Sequence, residues 1–146
     1  IKSVKELVAS AIPLLESMKE EWLVAVPGLA MVVASLFGVN DAAREFIQRG
    51  GKVRIIVDVS YPFIDHAREL LNIGEAVCHI DQHGVTFVVF DRKSSLTAIS
   101  IPAHVSLSSP MAALWTDDPM YSQYLASTFE MLWPVPVPAA ERIQEL

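Results

Sequence analysis

Residues 84–93 read GVTFVVFDRK. Bulky apolar residues from Phe87 to Phe90 run straight into Asp91, and Arg92 and Lys93 follow at once. The stretch is either a core strand ending in an ordinary turn or the shell of a catalytic motif whose reactive residues have been replaced. The fold follows from whichever reading the rest of the chain supports.

On either side of it, Ala76–Ile80 and Leu96–Ile101 are further short apolar runs bounded by polar turns. With Val85–Phe90 they predict an antiparallel meander. Ser106–Pro110 reads as a loop and Ala112–Trp115 as a short final strand. Asp118 is placed to cap a helix with Pro119 at its first position. Tyr121, Leu125, Phe129 and Leu132 then recur at helical spacing and form that helix's inner face. Alternate prolines make Trp133–Pro138 stiff and extended, and AAERIQEL closes the chain as a helix.

Towards the other terminus the pattern is strand-helix-strand. Ser3 and Glu6 have capping-box spacing, and Val4, Leu7, Val8, Ala11, Leu14, Leu15 and Met18 follow as an apolar helical stripe. Pro13 should kink or divide that helix. The stripe must be covered either by this domain or by a second copy. Trp22–Val26 reads as a buried strand; Leu29–Phe37 and Asp41–Arg49 read as helices, the second capped by Asn40 and closed by Gly50-Gly51. Lys52–Val59 is nearly continuous in β-branched residues, as in a strand covered on both faces. Pro62–Asn72 is a helix with Phe63, Ile64, Ala67 and Leu71 on one face. Together these elements predict an α/β domain, a mixed sheet with helices on both faces, preceded by an amphipathic helix. Residues 1–20 are expected to form the leading helix or linker, and 21–146 the domain proper.

Composition narrows the chemistry. In 146 residues, 52% are hydrophobic and 19% charged, so either the core is large or some apolar surface meets a partner. A net charge of −6 disfavours a phosphate backbone as a direct partner. A single cysteine, Cys78, excludes an intrachain disulfide, and no signal peptide is visible. A cytoplasmic setting is expected. Ile1 in place of an initiator methionine leads us to expect a piece of a longer protein. Trp22–Asn40 carries no charge and approaches membrane-spanning length, but Pro27-Gly28 splits it into a strand-like and a helix-like half, so no span is expected.

The order of RGGKVRIIVDVS (49–60), AVCHI (76–80), GVTFVVFDRKSSLTAISI (84–101), ALWTDD (113–118) and YSQYLASTFEMLW (121–133) resembles a half-unit of the phospholipase D superfamily. It most resembles catalytically silent versions that serve as sensor or effector domains of archaeal signalling proteins and transcription regulators, including those of the TrmB type. Active members carry His-x-Lys-x-x-x-x-Asp, in which the His attacks phosphorus and the Lys holds the developing charge. Anchored on Asp91, the resemblance puts Gly84 at the His position and Thr86 at the Lys position. Neither residue can do that chemistry. His83 is one residue out of step, which on a strand turns it to the other face. The resemblance therefore implies a non-enzymatic regulatory domain that binds a small ligand, dimerises, or both. The alternatives are a subunit of a phospholipase D-type phosphodiesterase or nuclease, and a purely structural interaction module.

Other constellations are weaker. His79-x-Asp81-x-His83 could gather two imidazoles and a carboxylate on one face, but only three candidate ligands are local and a wet hairpin end is the weightier reading, so no metal or other cofactor is expected. Asp58, Ser60 and Tyr61 sit where a parallel strand meets a helix, the place where open α/β sheets take ligands. That turn also serves simply to cap the helix, and this is the weightier reading. If a pocket exists, these residues form its lip, with His79, Trp115 and Thr116 as neighbours. Arg92-Lys93-Ser94-Ser95 reads as a solvated turn. No Gly-rich phosphate loop and no nucleophile elbow is present.

Overall fold

A computed structural model of the chain describes residues 2–26, 31, 38–59, 63–73, 76–79, 86–100, 110–134 and 137–146. The described strands are β1 (Lys2–Ser3), β2 (Glu21–Val26), β3 (Lys52–Val57), β4 (Ala76–His79), β5 (Phe87–Phe90), β6 (Ser94–Ser100), β7 (Pro110–Thr116) and β8 (Val137–Pro138). The helices are α1 (Val4–Ser17), α2 (Val39–Gln48), α3 (Ile64–Ile73), α4 (Pro119–Leu132) and α5 (Ala139–Glu145). The strands form one mixed sheet in the order β1-β7-β6-β5-β2-β3-β4-β8.

Phe87–Phe90, running into Asp91, lies at the seam of this sheet. β2, β3 and β4 are parallel, whereas β5 runs antiparallel to β2, with Trp22 opposite Phe90 and Ala25 opposite Phe87. The meander is therefore β5-β6-β7, and the expected membership of Ala76–Ile80 in it is corrected. The described part of that run, β4, pairs in parallel with β3, because the chain crosses between them through α3, the kind of connection that parallel strands need.

Alternation along the strands builds a core on each face. Trp22, Val24, Val53, Ile55, Val57 and Phe90 pack with Ala43 and Phe46 of α2 and with Ala67 and Leu70 of α3. Leu23, Ala25, Ile56, Phe87 and Val89 pack on the other face against Leu125, Ala126 and Phe129 of α4. β3 is thus buried from both sides, as its β-branched run predicts. The leading stripe is covered within the same chain: Leu15 and Met18 join the first core, with Val8, Ala11, Ile12 and Leu14 packed against it. Pro13 does not divide α1; it sits on the exposed side of an uninterrupted helix.

Two local expectations change. Asn40 is not the cap of α2. Gly38 holds that place at a left-handed φ of 81°, which glycine adopts without steric cost, while the Asn40 amide is buried and donates to Glu69 Oε1 at 3.1 Å. Ser95 is not in a solvated turn but is buried on β6, where its hydroxyl accepts from Ser122 Oγ of α4 at 3.2 Å. Met31 is helical, and the rest of the run expected as helix from 29 to 37 lies outside the described residues, as do Ser106–Ser109. Among the described residues, no helix is long and apolar enough to cross a membrane.

After α2, Gly51 lies so close to Phe46 that a Cβ there would overlap the ring. Phe46 is fully buried and has nowhere to retreat. Gly51→Ala is expected to destabilise the chain by about 1–3 kcal/mol through overpacking, measured as a shift in the urea midpoint with the slope unchanged.

Candidate functional site

The parallel strands put their carboxyl ends on one edge of the sheet. Val26, Val57 and His79 lie in register there, with the half-buried Asp58 immediately after β3. Thr86 precedes β5 on the same edge, and its carbonyl accepts from Ala98 N at 3.0 Å. This edge is where a mixed α/β sheet offers a ligand crevice. Arg142 of α5 braces it, donating from Nε to the carbonyl of the buried Val59 at 3.2 Å.

The structure brings together some of the expected lip residues and separates others. Asp58 and His79 lie on neighbouring strands at this edge. Ser60, Tyr61, Asp81, His83 and Gly84 lie outside the described residues. Trp115 and Thr116 are not neighbours of His79. Their strand is five places away from β4 in the sheet, which corresponds to about 24 Å. Trp115 instead stacks on Phe90 at 5.8 Å, and Phe90 on Trp22 at 6.3 Å, so it extends the first core. The β7 strand reaches that position because it continues the meander away from the parallel half, a long-range pairing that local spacing does not reveal.

At the opposite edge, Asp91 ties the β5–β6 turn to the start of β2. Its carboxylate accepts backbone N–H bonds from Lys19 at 2.9 Å and from Glu20 and Glu21 at 3.0 Å each. Its own N–H donates to Glu21 O at 2.9 Å. Asp91 and Arg92 both hold left-handed backbone, with φ 53° and 56°, closed by a bond from Lys93 N to Phe90 O at 3.0 Å. That is the turn whose twist suits a hairpin, at a steric cost for non-glycine residues. Asp91 therefore serves as an architectural clamp.

Arg92 is not simply solvated. With Arg54 it forms a four-membered ion network with Glu21 and Glu130. Arg92 Nη2 lies 3.1 Å from Glu130 Oε1 and its Nε contacts Glu21 Oε1; Arg54 Nη1 lies 3.1 Å from Glu130 Oε2. The Arg54 guanidinium also sits 5.4 Å from the Phe129 ring centroid and 5.3 Å from that of Trp133. Sequence reasoning missed this network. Its one signal is Arg54 itself, a cation inside KVRIIV, which needs a partner wherever the strand is covered.

The hydrogen bond from Arg54 holds the Glu130 carboxyl below the ordinary glutamate range, against the opposing effect of partial burial, and the charges of Arg54 and Arg92 add to the lowering. The same bond raises the Arg54 guanidinium. A depressed folded-state pKa contributes stability that is present above the ordinary glutamate value and is lost as pH falls through the depressed one. Glu130 is substantially exposed, so solvent screening keeps the contribution below about 1 kcal/mol. Glu130→Gln is therefore expected to flatten the acid limb of the stability–pH curve below the ordinary glutamate pKa, compared by urea titrations at neutral and acid pH.

No family model and no curated protein matches the chain. Solved structures do. TrmBL2, described as an archaeal chromatin protein with a novel mode of DNA binding, is similar at TM-score 0.68 and 17% identity over 94% of this chain and 52% of its own. The chain thus spans about half of TrmBL2. Nuc from Salmonella typhimurium, a phospholipase D family member, is similar at TM-score 0.69 and 11% identity, over 90% of this chain and 89% of its own. NucT from Helicobacter pylori is similar at TM-score 0.68 and 16% identity, over 92% of each. On these overall likenesses the chain has the phospholipase D-like fold.

Proposed function

We propose that the chain is a non-catalytic regulatory domain, a sensor or effector module of a larger signalling or transcription-regulating protein, acting through a small ligand, dimerisation, or both. The observation that carries this reading is the content of the strand that ends in Asp91. With Asp91 as anchor, glycine stands at position 84 and threonine at 86, where phosphoryl transfer needs a nucleophilic imidazole and a cation. The likeness to TrmBL2 supports a regulatory setting, and a net charge of −6 favours DNA contact, if the whole protein makes any, by another part of it.

The ligand would sit at the carboxyl edge of the parallel strands, against Asp58, Ser60, Tyr61 and His79. A change there would reach α1 through the shared core that holds Leu15 and Met18. Residues 1–20 would then act as the linker to an output domain. Isothermal titration against a panel of metabolites, run with light scattering, tests this. A chain that neither binds a metabolite nor self-associates would overturn it.

The second reading is a phosphodiesterase subunit, favoured by the near-complete overlap with Nuc. Turnover of a generic phosphodiester that His83→Ala abolishes would establish that reading and remove ours.

A further inference from the structure

The Met18–Lys19 peptide group is fastened differently on its two sides. Its carbonyl, with those of Leu15 and Glu16, faces Arg49, which follows α2; its N–H, with those of Glu20 and Glu21, faces Asp91. Arg49 Nη2 lies 3.0 Å from Leu15 O and 3.3 Å from both Glu16 O and Met18 O. α1 has no basic residue in its own last turn, so a cation from another helix serves as its C-terminal cap. The Arg49 guanidinium sits 5.5 Å from the Phe46 ring centroid, which keeps it over α2. The two fastenings differ in strength. One nitrogen with two hydrogens serves three carbonyls on an exposed side chain, whereas Asp91 is built into a hairpin turn of the sheet.

α1 is also poorly suited to stand alone. Pro13 has no N–H to give to the Ala9 carbonyl, and Val8, Ile12 and two serines lower the helical preference. Val8, Ala11, Ile12 and Leu14 are only half-buried. At its other end the helix is tied to β7 by the two residues of β1. The core that α1 helps to close carries a cost of its own. The indole N–H groups of Trp22 and Trp115 are buried without an acceptor among the described residues, at the two ends of the stacked row Trp22–Phe90–Trp115.

We infer that α1 is a releasable strap. It lifts from the sheet as a unit, melts as it does so, turns about the Met18–Lys19 peptide, and uncovers the Trp22–Phe90–Trp115 row while the sheet stays folded. A helix of 14 residues is marginal in water once its packing is lost, so lifting and melting go together. Lifting lets water reach both indole N–H groups, and Arg49 sets how often it happens. The use of this movement as an output rests on the regulatory reading; the movement itself does not, and its test involves no ligand.

Residue-level hydrogen exchange of the 146-residue chain, followed by NMR, tests the inference. The amides of Ile12, Leu14 and Leu15 are expected to exchange at least about a hundredfold faster than those of Val24, Ile55 and Val89, and with a weaker dependence on urea. The indole N–H groups of Trp22 and Trp115 should exchange with α1 and not with the sheet. Arg49→Gln is expected to speed the α1 and indole groups at least about fivefold and leave the sheet amides unchanged. Pro13→Ala, on the exposed side, should slow the same groups at least about tenfold by restoring the missing bond. Exchange of α1 at the rate and urea dependence of the sheet would overturn the inference, since the helix would then open only with the whole domain. So would indole groups that follow the sheet, or an Arg49→Gln variant that leaves α1 unchanged or speeds the sheet equally. None of these results bears on metabolite binding, which decides the regulatory reading separately.

Discussion

Asp91→Ala is expected to lower the unfolding free energy by about 2–4 kcal/mol, although its side chain performs no chemistry and is only partly buried. Three backbone N–H groups, of Lys19, Glu20 and Glu21, converge on its carboxylate. Charge-assisted bonds of this kind are worth about 1.5–3 kcal/mol each in protected settings, and less where water can replace the acceptor, as at Lys19 and Glu20. A second cost comes from the backbone. Position 91 holds a φ of 53°, which aspartate and asparagine tolerate better than alanine does, by about 1 kcal/mol. Asp91→Asn keeps the turn preference and one acceptor oxygen and is expected to lose about half as much. Urea denaturation of the two variants separates the terms. A loss below about 1 kcal/mol for the alanine variant would mean that water satisfies the three donors and that the clamp is unnecessary.

That prediction answers the question raised by GVTFVVFDRK. An aspartate that joins a hairpin turn to the head of the neighbouring strand is needed by the fold whether or not a nucleophile stands seven residues before it. Its presence is therefore evidence for the architecture, and the residues at 84 and 86 are separate evidence about the chemistry. The resemblance was legible because the aspartate, the apolar strand and the capped helix after Asp118 serve folding. The Asp118 carboxylate does cap α4, accepting from Met120 N at 3.2 Å.

What was not legible depended on partners distant in sequence. The alternation in β4 is the same whether it pairs with β3 or β5, so spacing alone could not separate the parallel half from the meander. Trp115 and Thr116 lie far from His79 because β7 ends the meander on the far side of the seam, a placement that spacing along the chain does not show. Asn40 looked like a cap because its residue type favours caps, but a left-handed glycine took the role and freed the amide to reach Glu69 across to α3. Ser95 and Arg92 looked like turn residues because a polar string between apolar runs usually is one. Here Ser122 and the carboxylates of Glu21 and Glu130 lie above that string, and both carboxylates come from more than thirty residues away. The carboxyl edge was legible only as a place, because strand direction follows from the crossovers whereas side-chain convergence does not.

The same distinction governs the second core, where Phe129→Ala is expected to cost about 3–5 kcal/mol. Phe129 of α4 is fully buried against the sheet, edge-on to Phe87 at 6.5 Å and stacked on Trp133 at 5.5 Å. α4 meets the sheet through Leu125, Ala126 and Phe129, with Tyr121, Leu132 and Trp133 packed beside them, and these flanking contacts keep the helix from settling to fill the void. The substitution also strips one aromatic face from Arg54, which leaves the guanidinium with Trp133 alone and loosens its hold on Glu130. Phe129→Leu retains most of the volume but not the ring and is expected to cost about 1–2 kcal/mol. If loss of the aromatic face matters, the leucine variant will also show a flatter acid limb than the wild type, as Glu130→Gln does, because the depressed Glu130 pKa depends on a well-placed Arg54. Leucine that destabilises without changing the pH dependence would confine the role of Phe129 to packing, and an alanine variant within about 1 kcal/mol of the wild type would mean that α4 is not docked on this face.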